Sequence, residues 1–248
     1  MKITFIGTSH GKPEPHRRCS CTMITLENGD RYFIDMGCSP VDDMITRGIP
    51  LRTVKAVFLT HMHNDHTDGL LQFIALCVWA YPDTSPTVLF PEQAGIDALL
   101  AWNAATMEEQ DRNFPDRIRL QIAKPGVLYE DGGLRVTAYA TRHCQSASYA
   151  YLLEGDGKRV LFTGDLNGSK PEQDFPLSCA QEQPLDLAVC EAAHFDATRY
   201  IPIFEACKPR RVILNHYSSY RLPGICELMQ AVRPLSVTLA TDGLELTL

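Results

Sequence analysis

Thr60-His61-Met62-His63-Asn64-Asp65-His66-Thr67-Asp68-Gly69 packs three histidines and a carboxylate into positions 61 to 66. It follows the apolar run Val57-Phe58-Leu59 and precedes Leu70-Leu71-Gln72-Phe73-Ile74-Ala75-Leu76, a helix-like run. The cluster therefore reads as a metal site on a strand-to-helix turn. Imidazole nitrogen and carboxylate oxygen suit zinc and, with more oxygen, manganese. Regular elements hold side chains on fixed faces, whereas a tight loop can aim His61 and His63 at one ion and Asp65 and His66 at a neighbour. A polar surface loop is the competing reading, and the density of ligands counts against it.

The rest of the chain bounds the setting. At 248 residues it is expected to form one domain, 1–248, with a substantial core. A composition 45% hydrophobic and 21% charged is that of an ordinary globular protein. Met1-Lys2-Ile3-Thr4-Phe5-Ile6-Gly7 is a short strand with a glycine stop, too brief for a signal peptide. No apolar run approaches membrane-spanning length, so a cytoplasmic protein without a membrane partner is expected. Nine cysteines, scattered and odd in number, do not form a disulfide framework, and reduced thiols are expected. Cys19-Ser20-Cys21 with His16 nearby lacks the four ligands of a closed metal site and reads as packed thiols.

A net charge of -7 argues against a broad nucleic-acid footprint, which needs a clustered basic surface. Basic residues gather only at His16-Arg17-Arg18 and Lys208-Pro209-Arg210-Arg211, both read as solvated surface. A small anionic substrate remains compatible, since divalent ions supply their own positive field.

Short apolar runs bounded by turns give strands at 3–6, 22–26, 31–34 and 54–59, with Asn28-Gly29 as a hairpin turn. A helix is expected over 41–47, ending at Gly48. Asp35 ends the third strand, either to orient a metal-bound imidazole or as a plain turn carboxylate. Further strands are expected at 87–90, 117–122 and 134–140, and a helix over 92–107. The polar run 108–113 is uninformative. The pair 148–153 and 159–162, turned by Gly155-Asp156-Gly157, ends on Thr163-Gly164-Asp165, a carboxylate with open space around it. Strands at 185–190 and 211–216 follow, the second finishing in His216-Tyr217-Ser218-Ser219. His143 and His194 complete a set of six histidines at strand ends or in the loop, leaving His10 and His16 in an N-terminal segment.

His61, His63, Asp65 and His66 match the His-x-His-x-Asp-His signature, and the chain resembles the metallo-β-lactamase superfamily. The resemblance implies an α/β fold, an αββα sandwich of two mixed β-sheets flanked by helices, with a metal centre at one edge. Within the superfamily, Phe5-Ile6-Gly7-Thr8, Phe33-Ile34-Asp35-Met36-Gly37 and Ile213-Leu214-Asn215-His216-Tyr217-Ser218-Ser219 resemble ribonuclease Z and its relatives, including the phosphoribosyl cyclic phosphodiesterases. The likeness runs from residue 1 to about residue 220 and is strongest at the His61 loop and the last motif. It implies one metal on His61, His63 and His143, a second on Asp65, His66 and His216, and Asp165 on both. Two divalent ions are expected, zinc first and manganese as the alternative. The family's catalytic histidine, which precedes the final ligand in a His-Ser-Thr context, is carried over to His194. Its surroundings, His194-Phe195-Asp196, depart from that pattern.

Ribonuclease Z inserts a long tRNA-gripping arm between the ligands that correspond to His143 and Asp165, and here that stretch holds one hairpin. The expected activity is therefore hydrolysis of a small or cyclic phosphodiester or a nucleic-acid fragment, with Asp65 and His194 catalytic. Metal ions would lower the pKa of water, Asp65 would orient it, and His194 would protonate the leaving alkoxide. The alternatives are a ribonuclease Z-like endoribonuclease, an ester or lactone hydrolase, and a metal-stabilised binding module. The resemblance also implies a homodimer.

Overall fold

The computed structural model describes residues 1–12, 14–112, 114–143 and 145–248. Its strands form two sheets. β1 (Lys2–Gly7), β2 (Cys21–Thr25), β3 (Arg31–Met36), β4 (Val54–Phe58), β5 (Thr87–Phe90) and β6 (Arg119–Ile122) build the first. β7 (Gly126–Glu130), β8 (Leu134–Thr141), β9 (Ser148–Gly155), β10 (Lys158–Phe162), β11 (Leu187–Ala192), β12 (Arg211–Tyr217) and β13 (Ser236–Leu239) build the second. The last strand, β14 (Glu245–Thr247), returns to the first sheet and pairs antiparallel with β1. Each sheet has seven strands and is mixed. β14-β1-β2-β3 are antiparallel and β3-β4-β5-β6 parallel, while β7-β8-β9-β10 are antiparallel and β10-β11-β12-β13 parallel.

Seven helices, α1 (Val41–Thr46), α2 (Asn64–Trp79), α3 (Gln93–Thr106), α4 (Pro171–Asp174), α5 (Leu177–Glu182), α6 (Tyr200–Cys207) and α7 (Leu222–Ala231), cover the outer faces among the described residues. Three apolar layers result. Phe5, Ile24 and Phe58 of the first sheet meet Tyr151, Phe162 and Val189 of the second between the sheets. Phe33 and Val57 pack outward with Leu70, Phe73 and Leu99 of α2 and α3. Leu161 and Leu214 pack outward with Ile203, Phe204 and Leu228 of α6 and α7. This is the expected αββα sandwich. Strands such as β11, buried at every position, read as continuous apolar runs because both faces are covered.

The chain departs from the sequence expectations at several points. α2 begins at Asn64, so Asp65 and His66 lie in its first turn and only His61 and His63 in the preceding loop. β7 has no expected counterpart, β6 begins at Arg119 rather than 117, and β11 is shifted two residues onward from 185–190. Within the polar run 108–113, Glu109–Asp111 form a short 3-10 turn and residue 113 lies outside the described residues, as does Cys144. Two bonds hold the His61 loop to the second sheet: Tyr149 N–H to the Thr60 carbonyl (2.9 Å) and the Tyr151 hydroxyl to the Leu59 carbonyl (2.8 Å). No helix among the described residues is long and apolar enough to cross a membrane.

Candidate metal centre

The cluster forms where several elements end. His61 and His63 leave β4, Asp65 and His66 open α2, His143 follows β8, Asp165 follows β10, His194 follows β11, and His216 closes β12. The structure brings all eight together. Around Asp165 Oδ2 lie the Nε2 atoms of His216 at 3.3 Å and of His61, His66 and His143 at 3.6 Å, with His194 Nδ1 at 3.7 Å. Asp65 Oδ2 lies 3.4 Å from His66 Nε2 and 3.7 Å from His216 Nε2. His143 Nε2 faces His63 Nδ1 at 3.3 Å.

The hydrogen bonds at the back of the rings decide which nitrogens carry protons. Asp35, expected either to orient an imidazole or to sit idle in a turn, bonds His66 Nδ1 through Oδ2 at 2.7 Å. A carboxylate only accepts, so Nδ1 holds the hydrogen, and when the ring is neutral Nε2 presents a lone pair. Burial opposes a charge on His66, but Asp35 and Asp165 raise its pKa well above the ordinary value while no cation stands beside it. Thr60 donates its hydroxyl to Asp35 (2.9 Å) and can then accept from His61 Nδ1 (3.0 Å). His143 Nδ1 faces the Leu166 carbonyl at 3.4 Å, which again leaves Nε2 unprotonated. With the rings neutral, three lone pairs converge on one carboxylate oxygen, an arrangement that repels unless protons or metal cations stand between them.

Buried atoms without partners lie in the same place: His61 Nε2, His66 Nε2, Asp165 Oδ1 and His216 Nδ1. Buried polar groups are rarely left unpaired, and these belong to the side chains that face one another. Three groupings have donor atoms within 4.8 Å of one another: His61-His63-His143-Asp165, Asp65-His66-His216, and Asp165-His194-His216. The nitrogen and oxygen donor set fits divalent cations, and the cluster is a divalent-metal site. Burial, then the neighbouring His66, drives His61 down to about 2, so it stays neutral and able to ligate. Burial opposes ionisation of Asp165, but His216 and His66 hold its carboxyl well below the usual range. Asp35 and His216 carry these contacts at φ +57° and +47°, a left-handed conformation rare outside glycine and costing of order 1–3 kcal/mol.

His194, its side chain 34% exposed, is open to solvent like His63, but it alone of the cluster is held by Glu191. Its Nδ1 lies 2.9 Å from Glu191 Oε2, and the backbone N–H groups of Ala193 and His194 donate to the same oxygen at 3.0 Å. Glu191 Oε1 accepts from Leu166 N–H at 2.8 Å, linking this support to the segment that carries Asp165. Burial works against a charge on His194, but the hydrogen bond and charge of Glu191, with Asp165 behind, lift its pKa to about 9. Sequence reading gave Glu191 no role. The signal was there: a carboxylate closing an apolar strand, three residues before a histidine. A cleft of about 590 Å³ opens beside His143 and His194, lined also by Thr141, Arg142, Ser146, Asn167 and Gly168.

Arg18 and Arg210 form surface ion pairs, whereas Arg17, expected as solvated surface, is largely buried, with its guanidinium 3.8 Å from the Tyr217 ring centroid and a bond to Thr8. Arg17 is bonded to Glu14, Arg18 to Asp43 and Asp242, and Arg210 to Asp186. Among the described residues no metal grouping includes Cys19, Cys21 or His16.

The sequence profile of the Anti-Pycsar protein Apyc1 family matches residues 1–182. Among curated relatives, a ribonuclease Z of Cyanothece sp. is 30% identical over 144 residues, 58% of this chain and 43% of that protein. A ribonuclease BN of Proteus mirabilis is 28% identical over 176 residues, 70% of this chain and 55% of that protein. The chain spans about half the length of the curated relatives it matches. Human short-form tRNase Z superposes with a TM-score of 0.76 at 18% identity, covering 100% of this chain and 99% of that one. The metallo-β-lactamase fold protein YhfI of Bacillus subtilis gives 0.72 at 16% identity over 99% and 98%. Zinc-bound PqqB of Methylobacterium extorquens gives 0.61 at 15% identity over 100% of both. Sheet order, the His61 loop and these likenesses agree: the chain has the metallo-β-lactamase fold and belongs to the Anti-Pycsar protein Apyc1 family.

Proposed function

We propose that the chain is a metal-dependent phosphodiesterase acting on a small or cyclic phosphodiester. The observation that carries this reading is the pairing of a largely buried, multi-histidine cation site with a separate, half-buried histidine held by Glu191 at the edge of an open cleft. Two divalent ions, zinc first and manganese as the alternative, would be held by His61, His63 and His143 on one side and Asp65, His66 and His216 on the other, with Asp165 between. When bound, such ions neutralise charge on phosphoryl oxygens and bring the pKa of water towards neutrality.

The chain's own residues do the rest. Asp65 accepts a hydrogen bond from the attacking water and orients it. Glu191 keeps the proton on His194 Nδ1, so the ring turns as one unit with a fixed tautomer and offers Nε2 to the cleft. Protonated there, His194 gives a proton to the leaving alkoxide, a role worth about 10²–10⁴-fold in rate. His194 also falls within ligating distance of Asp165 and His216, yet its Nδ1 is already committed to Glu191.

One hairpin, β9–β10, fills the chain between His143 and Asp165, where ribonuclease Z carries its tRNA-gripping arm. With a net charge of -7 this disfavours tRNA processing by the chain acting alone. The test is hydrolysis by zinc- or manganese-loaded protein of bis(p-nitrophenyl) phosphate against a panel of lactones and thioesters. Turnover of the phosphodiester is the expected result. In His194→Ala, with metal content unchanged by elemental analysis, the loss is at least about 10²-fold on a dialkyl or cyclic phosphodiester, whose leaving alkoxide needs a proton, and smaller on the p-nitrophenyl ester, whose phenolate leaves unaided. Preference for the carbonyl esters, or a His194→Ala protein that has also lost its metal, overturns the assignment.

A further inference from the structure

Three thiols gather beside the turn that opens α2. Cys19 precedes β2, Cys21 begins it, and Cys38 lies two residues past the end of β3. The two strands run antiparallel with Cys21 opposite Met36, and Gly37 N–H bonds the Ser20 carbonyl at 2.7 Å, so the chain beyond β3 stays beside the start of β2. There the fully buried Cys21 thiol has the half-buried Cys38 thiol as its bonding partner. Cys19 lies on the ligand side of this pair, where burial and the charge of Asp65 raise its pKa.

The loop that carries Cys38 also supports two candidate ligands. A Cβ on Gly37 would lie 1.7 Å from the Asp65 carbonyl oxygen and 3.0 Å from the His66 backbone nitrogen. One on Gly69 would lie 2.2 Å from the Cys38 carbonyl carbon. Backbone thus meets backbone at both ends of the contact between this loop and α2, with no flexible side chain between them to absorb a shift. A displacement of Cys38 is passed on to Asp65 and His66.

We propose that Cys21 and Cys38 are a peroxide-oxidisable pair whose bridging weakens metal binding at the neighbouring site. Hydrogen peroxide transfers one oxygen to the Cys38 sulfur, giving a sulfenic acid and a first water. The Cys21 sulfur then attacks the Cys38 sulfur. An S–S bond forms, the S–O bond breaks, and the departing hydroxyl takes the Cys21 proton and leaves as a second water. Two thiols are oxidised to one disulfide while one peroxide is reduced to two waters. Burial and the bond to Cys38 keep Cys21 protonated, so the second step is slow and answers to sustained peroxide. Bonded sulfurs lie closer than touching thiols, so closure draws the loop towards β2 and disturbs the seat of Asp65 and His66. The inference depends on the metal site and not on the reaction carried out there.

The test treats zinc-loaded protein with excess hydrogen peroxide, zinc itself being inert to redox. Peptide mapping without reduction is expected to show Cys21 joined to Cys38 within one chain. Zinc affinity, read by chelator competition, is expected to fall about tenfold and to return after treatment with a phosphine reductant and its removal. Cys38→Ser, treated alike, keeps its affinity within about twofold, and Cys21→Ala does the same, which separates the bridge from oxidation of Cys38 alone. A map that joins Cys38 to Cys19 or to another chain, or that finds only sulfinic acid at Cys38, overturns the pair. A mapped bridge with unchanged affinity, or an equal loss in wild type and Cys38→Ser, overturns the link to the metal site.

Discussion

The most economical residue in the site is Asp35. From one left-handed position it accepts Thr60 N–H at 2.7 Å, the Thr60 hydroxyl at 2.9 Å and His66 Nδ1 at 2.7 Å. It therefore fixes the loop before His61 and the tautomer of His66 together. Asp35→Asn keeps the shape and tolerates the left-handed backbone, but it turns one acceptor into a donor that faces donors. Metal affinity is expected to fall 10–100-fold with no ligand touched, as read by chelator competition. An unchanged affinity would mean that packing alone holds His66. Asp35 was visible in the sequence only as a carboxylate at a strand end, because its partners stand 25 and 31 positions away. Glu191 stayed hidden for a related reason: burial gives a carboxylate meaning only once four donors are seen around it.

Among the elements, α2 decides how the site is held, and its packing on the loop after β3 sets a sharp test. Gly69 lies inside that helix, where alanine normally stabilises by about 1 kcal/mol. A Cβ there would sit 2.2 Å from the carbonyl carbon of Cys38, and backbone cannot yield as a flexible side chain can. Overpacking of this kind costs typically 1–3 kcal/mol or more, so the clash wins and Gly69→Ala lowers Tm by several degrees in a thermal melt. A raised Tm would show that helix and loop move apart freely. The same helix shows what the sequence disclosed. Its body was legible from the spacing of Leu70, Phe73 and Ile74, but its first turn was not, because His63 caps it without a side-chain bond and the candidate ligands Asp65 and His66 replace the usual signals. Strands buried on both faces, such as β4 and β11, announced themselves as apolar runs. β7 did not: it lies at a sheet edge, is exposed or half-exposed throughout, and shows no alternation to read.

At the scale of the whole molecule the site is a clasp between two sheets. His61, His63, Asp65 and His66 belong to the first sheet and the helix that follows β4, whereas His143, Asp165 and His216 end strands of the second. Which strand ends meet depends on strand order, and no local pattern encodes it; the resemblance named the partners, and the fold placed them. Cations held across that seam would bind the folded chain and not the unfolded one, and so would stabilise it by RT ln(1 + [L]/Kd), about 4 kcal/mol at a thousandfold excess over Kd. For a chain of this length each kcal/mol moves Tm by roughly 2–4 °C. Exhaustive chelation is therefore expected to lower Tm by on the order of 10 °C, and adding zinc or manganese to restore it in proportion to the logarithm of free metal. The loss should shrink on acidification, since protons compete for the imidazole lone pairs that hold the ions and leave less metal-derived stability to remove. A melt indifferent to chelator would assign the union of the sheets to the Phe5, Phe58 and Tyr151 layer alone and would leave the cluster too weak to serve as a metal site.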